Sequence, residues 1–344
     1  MRNLLFAEPD SACEIENFDH DLTRLFGILK MQRPAKSQQE NNLATHLLNL
    51  YEDAWPDDYG NVIVPVKMEE SYTMFSCHTD TVHPKPNKEH TSILYADTIL
   101  KQVFTNGLSQ LGADDGAGVW FMMNMIEAGV AGLYIFHRDE EVGGLGSSHF
   151  AKYHEDYLTQ LGIKRCVAFD RHYYKDVITH QGTRCCSDNF AQALSNELNM
   201  TDEFEFEPCD TGVFTDSANY THIIQECTNL SVGYWAQHSV KEVLDYGFAS
   251  QMLARLVQVD WENLPTERDV NDNDYAYGND WHQWSGRDYK AYDFSMTGST
   301  NHTSYSTMIQ FIEQNSDYVA EYLLDLDITE SEIIQHVGIA FDDL

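Results

Sequence analysis

Two adjacent aspartates, Asp114 and Asp115, are the feature that most constrains how this chain can fold. They lie among small residues in the stretch LGADDGAGVW and open an apolar run, residues 119–126, that predicts a helix. An apolar strand ending in MFSCHTDTV precedes the pair, and a second ending in LYIFHRDEEVGG follows it. Polar residues just after successive strands are typical of an open α/β sheet that builds a site at its carboxyl edge.

The polar side chains at these strand ends are types that bind transition metals. The candidates are His78, Asp80, Asp114, Asp115, Glu140, Glu141, Asp170 and His238. Imidazole and carboxylate groups are ligands of zinc. A single histidine or carboxylate is more often an ordinary surface or core side chain. The whole ordered set therefore predicts a metal site, although no single member would do so alone.

The remaining pattern predicts an α/β fold with a mixed, mostly parallel central sheet flanked by helices. Predicted strands cover residues 62–66, 72–77, 132–137, 165–169, 176–180 and 229–233. Three predicted helices cover residues 21–31, 147–153 and 240–259. A fourth begins with the capping box SQQE at residues 37–40, and a fifth begins near Asp115.

Composition limits the partners and the compartment. A net charge of −34 argues against nucleic acid and anionic membranes as partners, because both are negatively charged. The seven cysteines show no CxxC pair, so we expect reduced thiols and no disulfide framework. We find no signal peptide and no run of about 18 apolar residues. The expected protein is soluble and cytoplasmic.

The composition changes after Asp260. The chain becomes polar, aromatic and rich in Asn, Asp and Ser, without helical or strand period until about Tyr305. We therefore predict a catalytic domain over residues 1–260 and an acidic, partly irregular extension over residues 261–344. Two short helices, at about 307–324 and 330–337, are expected in the extension. The stretch DVNDNDYAYGND lacks the glycine and the glutamate of a calcium loop, which argues against calcium there.

The motifs HTDTV, GADDGAG, DEEVGG, FDR and QHSVKE, in this order, resemble the co-catalytic zinc exopeptidases. That superfamily contains leucyl-type aminopeptidases, peptidase T and carboxypeptidase G. The resemblance covers about residues 21–259. It implies two divalent metal ions, zinc by first choice with cobalt or manganese as alternatives. Two ions held close together need a ligand that bridges them and others that complete each shell.

By this resemblance Asp114 is the bridging ligand. His78 and Asp170 would complete the shell of one metal, and Glu141 and His238 the shell of the other. The interval of 36 positions from His78 to Asp114, and that of 68 from Asp170 to His238, leave no room for the lid or the β-domain that some relatives insert. The resemblance therefore implies a lidless, single-domain enzyme.

The resemblance also implies roles for residues that do not bind metal. Glu140 would be the general base that takes a proton from water and passes it to the leaving amine. Asp80 would accept a hydrogen bond from His78 and orient its ring. The peptide bond between Asp114 and Asp115 would be cis.

The activity that we expect is an aminopeptidase acting on peptides, with the protein favoured as a monomer. An acidic surface attracts a substrate amine, which favours this activity over a carboxypeptidase. Deacylation of an N-acyl amino acid by the same site remains open. A degenerate binding or scaffold module would predict loss of a ligand or of the base, and none is lost.

Four further residues near these motifs have two interpretations. Arg138 and Arg171 flank the predicted site and could bind a substrate carboxylate, but ion pairs with neighbouring acids are the favoured interpretation. Asp216 and Ser217, in FTDSANY, are either part of a site-lining loop or structural.

Overall fold

The computed structural model describes residues 20–83, 93–201 and 203–271, which contain seven α-helices, three short 3-10 helices and fourteen strands. The helices are α1 (His20–Leu29), α2 (Gln38–Leu50), α3 (Ala113–Glu127), α4 (Leu145–Tyr153), α5 (Glu155–Leu161), α6 (Asp188–Leu198) and α7 (Tyr246–Leu256). The strands are β1 (Trp55–Pro56), β2 (Val62–Val66), β3 (Thr73–His78), β4 (Leu94–Asp97), β5 (Gln102–Thr105), β6 (Gly132–His137), β7 (Arg165–Arg171), β8 (Asp176–Ile178), β9 (His180–Gln181), β10 (Thr183–Arg184), β11 (Glu207–Cys209), β12 (Glu226–Ser231), β13 (Tyr234–Trp235) and β14 (Val243–Asp245).

The central sheet has eight strands in the order β1-β2-β6-β3-β7-β12-β8-β11. Its four middle strands, β6, β3, β7 and β12, run parallel, while β2 and β8 join them antiparallel on either side. Strands β3, β6 and β12 are buried along their whole length, as expected for strands covered on both faces of the sheet. The predicted mixed, mostly parallel α/β fold is confirmed.

Helix α3 packs against β3 and β7 in the middle of the sheet, and α1 packs against α3 in turn. Helix α3 is buried almost all round, which explains why its sequence is apolar without an amphipathic stripe. Phe121 of α3 meets Phe169 edge-to-face, and Phe169 stacks on Phe75 of β3. None of the described helices is long and apolar enough to cross a membrane.

A second, antiparallel sheet has the order β13-β14-β5-β4. Strand β14 pairs with β5, which lies upstream of α3, and with β13. The predicted helix over residues 240–259 is wrong in its first part. Residues 243–245 form β14, and α7 begins only at Tyr246, where the side chain of Asp245 caps it by accepting from Phe248 N.

The residues just after Asp260 pack on the central sheet. The ring of Trp261 lies 4.9 Å from that of Phe75 in an edge-to-face contact, and Glu262 accepts hydrogen bonds from Ser71 and Thr73. Arg268 is buried as well. A domain boundary at Asp260 stays a prediction. The predicted helices at 307–324 and 330–337 lie outside the described residues.

Candidate metal centre

The parallel strands bring three of the predicted ligands to one edge of the sheet. His78 is the last residue of β3 and is in register with His137, the last residue of β6. Asp170 lies one residue before the end of β7. Glu141 follows β6 by four residues. Because parallel strands end at the same edge, their polar carboxyl-terminal residues meet there.

The turn after β6 is fixed by hydrogen bonds from neighbouring segments. The carboxylate of Asp80 accepts from Glu140 N and Glu141 N at 3.0 and 3.1 Å. Asn61 accepts from Arg138 N at the start of the same turn. Asp80 also lies 3.4 Å from Nδ1 of His78. The backbone carbonyl of Asp80 is nearer still, at 3.1 Å from the same nitrogen. Asp80 thus contacts the first histidine mainly through its main chain and holds the glutamate pair through its carboxylate.

Asp114 lies between two imidazoles. Its Oδ1 is 3.0 Å from Nε2 of His78, and its Oδ2 is 2.9 Å from Nε2 of His238. The backbone at Asp114 and Asp115 is not helical, and the peptide bond between them is cis, as the resemblance implied. The two carboxylate oxygens therefore face two different ligand groups, which is the arrangement that a bridging ligand needs.

The other two predicted ligands complete the cluster. Oδ1 of Asp170 lies 3.5 Å from Nε2 of His78, and Oε2 of Glu141 lies 3.2 Å from Nε2 of His238. The structure thus brings together all five predicted ligands. Asp115 also lies within ligand distance of His78 and Asp170. Its two oxygens accept from the backbone N–H groups of His78 and Gly118, and the resemblance assigns it no metal, so the proposed ligand set does not include it.

The electrostatics of the cluster favour bound positive charge. Burial opposes protonation of His78 and His238, yet the surrounding carboxylates outweigh it and raise the pKa of His238 to about 12 and that of His78 well above its usual value. Burial, followed by the charge of Asp114, raises the pKa of Glu141 to about 7. Burial also raises the pKa of Glu140, which is half-buried in the same turn, well above its usual value.

Asp170 has two supporting residues that sequence reasoning missed. The hydroxyl of Thr215 donates to Oδ2 of Asp170, and that of Tyr234 donates to Oδ1 at 2.9 Å. Thr215 immediately precedes Asp216 in FTDSANY, so this motif was the signal that could have found it. Tyr234 has no comparable signal, since it is one aromatic among many in the sequence.

Two buried charges behind the aspartate pair were also missed. Arg33 is fully buried, and burial lowers its pKa to about 10, while the nearby charges of Asp115 and Glu242 favour its charged form. Its guanidinium donates to the carbonyls of Ile28, Thr79 and other residues. Glu242 is buried beneath the first turn of α3. Glu242 ends the motif QHSVKE, which was the signal that could have found it, whereas Arg33 lies outside every quoted motif.

Asp216 and Ser217 directly follow Thr215, which donates to Asp170. Oδ2 of Asp216 is 3.5 Å from Nδ1 of His137, and burial raises the pKa of Asp216 to about 8. Ser217 donates to Gln181. Arg138 and Arg171 form the expected ion pairs, with Glu40 and Asp176 respectively.

Comparison with known proteins shows which family this chain is similar to. The sequence profile of peptidase family M28 matches residues 61–324, more than half of the chain. The chain belongs to peptidase family M28. This confirms the resemblance to the zinc exopeptidases and makes the protein a hydrolase of a metallopeptidase family. No curated protein matches the sequence.

Solved structures with the same fold include aminopeptidases of low sequence identity. Aminopeptidase PepT from Bacillus cereus has a TM-score of 0.55 at 13% identity over 69% of this chain and 96% of its own. A tripeptidase from Staphylococcus aureus has a TM-score of 0.53 at 11% identity, over 70% of this chain and 97% of its own. PhTET1-12s, described as a dodecamer, has a TM-score of 0.52 at 14% identity, over 71% of this chain and 100% of its own. The monomeric state expected for this chain stays a prediction.

The donor set of this family M28 chain fits two divalent ions. His78, Asp114 and Glu141 each offer an atom within 4.8 Å of the others. Oε1 of Glu141 is buried without a hydrogen-bond partner among the described residues, as a ligand atom would be. The three ligand carboxylates carry three negative charges, against the four positive charges of two divalent ions. Asp114, His78 and Asp170 would hold one ion, and Asp114, Glu141 and His238 the other.

Proposed function

We propose that this chain is an aminopeptidase that depends on two divalent metal ions, with zinc as the first choice and cobalt or manganese as alternatives. The observation that carries the choice of aminopeptidase is the pairing of the two arginines that flank the site. Arg138 makes a two-pronged contact with Glu40, and Arg171 binds Asp176. Neither is available to hold a substrate's C-terminal carboxylate. The acidic surface of the chain, whose net charge is −34, attracts a free N-terminal amine instead.

Different residues of the chain have different roles in the proposed reaction. Metal ions bound by the five ligands would polarise the scissile carbonyl and make water a better nucleophile. Glu140, next to a ligand and half-buried, takes the proton of the attacking water and delivers it to the leaving amine. Asp80 holds the turn that carries Glu140 through two backbone hydrogen bonds, so it fixes where the base lies relative to His78.

One peptide in three forms tests the substrate class. The same apolar pentapeptide is offered free, N-acetylated and C-amidated, with zinc, cobalt or manganese restored to metal-depleted protein. An aminopeptidase should release N-terminal residues from the free and amidated forms and leave the acetylated form intact. Mass spectrometry of the products identifies which end is cut.

The alternatives give different product patterns. A carboxypeptidase would cut the free and acetylated forms and spare the amidated one. A deacylase would release acetate from N-acetyl amino acids and leave peptide bonds intact. Protein that binds metal but cuts none of these substrates would support a binding module and contradict the proposal.

A further inference from the structure

Glu242 uses both of its carboxylate oxygens to bind the backbone of a single turn beside the centre. Its Oε2 accepts from Leu111 N and Gly112 N, each at 2.8 Å, and its Oε1 accepts from Asp114 N at 3.0 Å. The side chain is buried. One carboxylate therefore holds the segment that delivers the bridging aspartate.

The position of Glu242 in the chain places it between two ligand-bearing segments of the centre. It lies four residues after His238, at the end of the loop between β13 and β14. Strand β14 then pairs with β5, which leads toward Asp114. The carboxylate thus joins the loop that carries His238 to the turn that carries Asp114, although the two are more than a hundred positions apart in the sequence.

We propose that Glu242 is a positioning residue for the metal bridge: it sets the place of Asp114 relative to His238 and so determines how tightly the centre holds metal. The inference rests on the proposed function, because it assigns Asp114 as the shared ligand. Hydrogen bonds to a ligand's surroundings orient the ligand, and their loss reduces metal affinity even though they touch no ion.

A neutral side chain cannot make the same three hydrogen bonds as this carboxylate. Leu111 N and Gly112 N share one oxygen, and Asp114 N takes the other. A glutamine has one acceptor oxygen and an NH₂ group that only donates. In either orientation, Glu242→Gln places the NH₂ group against at least one backbone N–H. The turn that carries Asp114 then has to move or lose a hydrogen bond.

Glu226 provides a matched control away from the centre. It is also a buried glutamate that accepts from three backbone N–H groups, those of Ser187, Glu267 and Arg268. It opens β12, at the end of the sheet opposite the ligands. Glu226→Gln therefore removes the same chemistry at a site where only folding depends on it.

The experiment measures zinc affinity by competition titration of metal-depleted full-length protein, with thermal unfolding of the metal-depleted form recorded separately. We expect Glu242→Gln to weaken affinity by about 10- to 100-fold, the range found for residues that support metal ligands. Glu226→Gln should lower the unfolding temperature and leave zinc affinity within about 2-fold of the original. The visible spectrum of the cobalt-loaded Glu242→Gln protein should also differ from that of the unsubstituted protein.

Glu242→Asp keeps the charge but is shorter by one methylene, so it serves if the glutamine variant does not fold. It should weaken zinc binding less than the glutamine variant, because it can still accept from part of the turn. Equal zinc affinity in the folded Glu242 variants and the unsubstituted protein would overturn the inference. An unsubstituted protein that binds no zinc, cobalt or manganese would instead overturn the proposed function, on which the inference rests.

Discussion

The two halves of the candidate centre are built on different parts of the fold. His78 and Asp170 lie on β3 and β7 in the middle of the sheet, with side chains 1% and 10% exposed. Glu141 and His238 lie on loops, and the side chain of His238 is 40% exposed. We refer to the pair His78 and Asp170 as the strand half and to the pair Glu141 and His238 as the loop half.

The two halves also differ in the support that surrounds the ligands. In the strand half, Asp80 lies against His78, and the hydroxyls of Thr215 and Tyr234 donate to Asp170. In the loop half, Asp80 binds the backbone of Glu141, whereas His238 has a left-handed backbone and a side chain that is 40% exposed. The sheet therefore pre-organises the strand half, whereas the geometry of the loop half depends on how the loops are held.

The largest effect should come from the loop half, where base and ligand are neighbours. Glu140→Gln keeps the shape and removes the proton acceptor, so hydrolysis should fall by about 10²–10⁴-fold with metal content unchanged. Glu141→Gln should lose one metal and recover part of its activity in excess metal. Steady-state rates and metal analysis of both variants test this. Loss of metal from the Glu140 variant alone would reverse the two assignments.

The next largest effect concerns the stability of the strand half. Trp261 packs on Phe75 of β3, and Glu262 binds residues at the start of that strand. A chain ended at Asp260 should therefore lose about 3–5 kcal/mol of unfolding free energy, as buried tryptophans do on removal, relative to a chain ended at Asn271. Urea unfolding compares the two. Equal stability would place the domain boundary at Asp260, as the sequence predicts.

Stepwise metal removal tests the comparison itself. Because the loop half is more exposed and less supported, its ion should leave first, at a chelator concentration at least about 10-fold lower than the ion of the strand half. His238→Ala should retain one equivalent, held by His78, Asp114 and Asp170. His78→Ala should hold its remaining ion only weakly. Simultaneous loss of both ions at every chelator concentration would contradict the distinction between the halves.

The smallest effect is a pH dependence near the strand half. Burial raises the pKa of Asp216 to about 8, so its contribution to stability is full below its unfolded pKa and is lost as the pH rises through 8. Asp216→Asn removes this titration. As the pH rises from about 7 to about 8, the original protein should therefore lose about 1 kcal/mol of unfolding free energy relative to the variant. Urea unfolding measures the difference.

Ser217→Ala controls for general effects at this place. Ser217 is buried, adjacent to Asp216 and uncharged, so the difference in unfolding free energy between this variant and the original protein should not change with pH. A difference that changes as it does for Asp216→Asn would show that another group titrates.

The sequence alone determined the fold class and which polar side chains meet at the carboxyl edge of the sheet. Buried parallel strands have continuous apolar runs, and a polar residue that ends such a run has to lie at the sheet edge. This logic places His78, Asp170 and the pair Glu140 and Glu141. Strand β6 was predicted with its observed bounds, because its mostly apolar run is followed directly by charged residues.

Only the tertiary structure decided what holds these ligands. Thr215, Tyr234 and Glu242 support residues that lie 45, 64 and 128 positions away in the sequence. The helix expected from residue 240 is in its first part the strand β14, whose pairing with β5 outweighs local helical preference. Contacts between distant segments leave no periodic pattern in the sequence, so the residues that make them become visible only once the chain has folded.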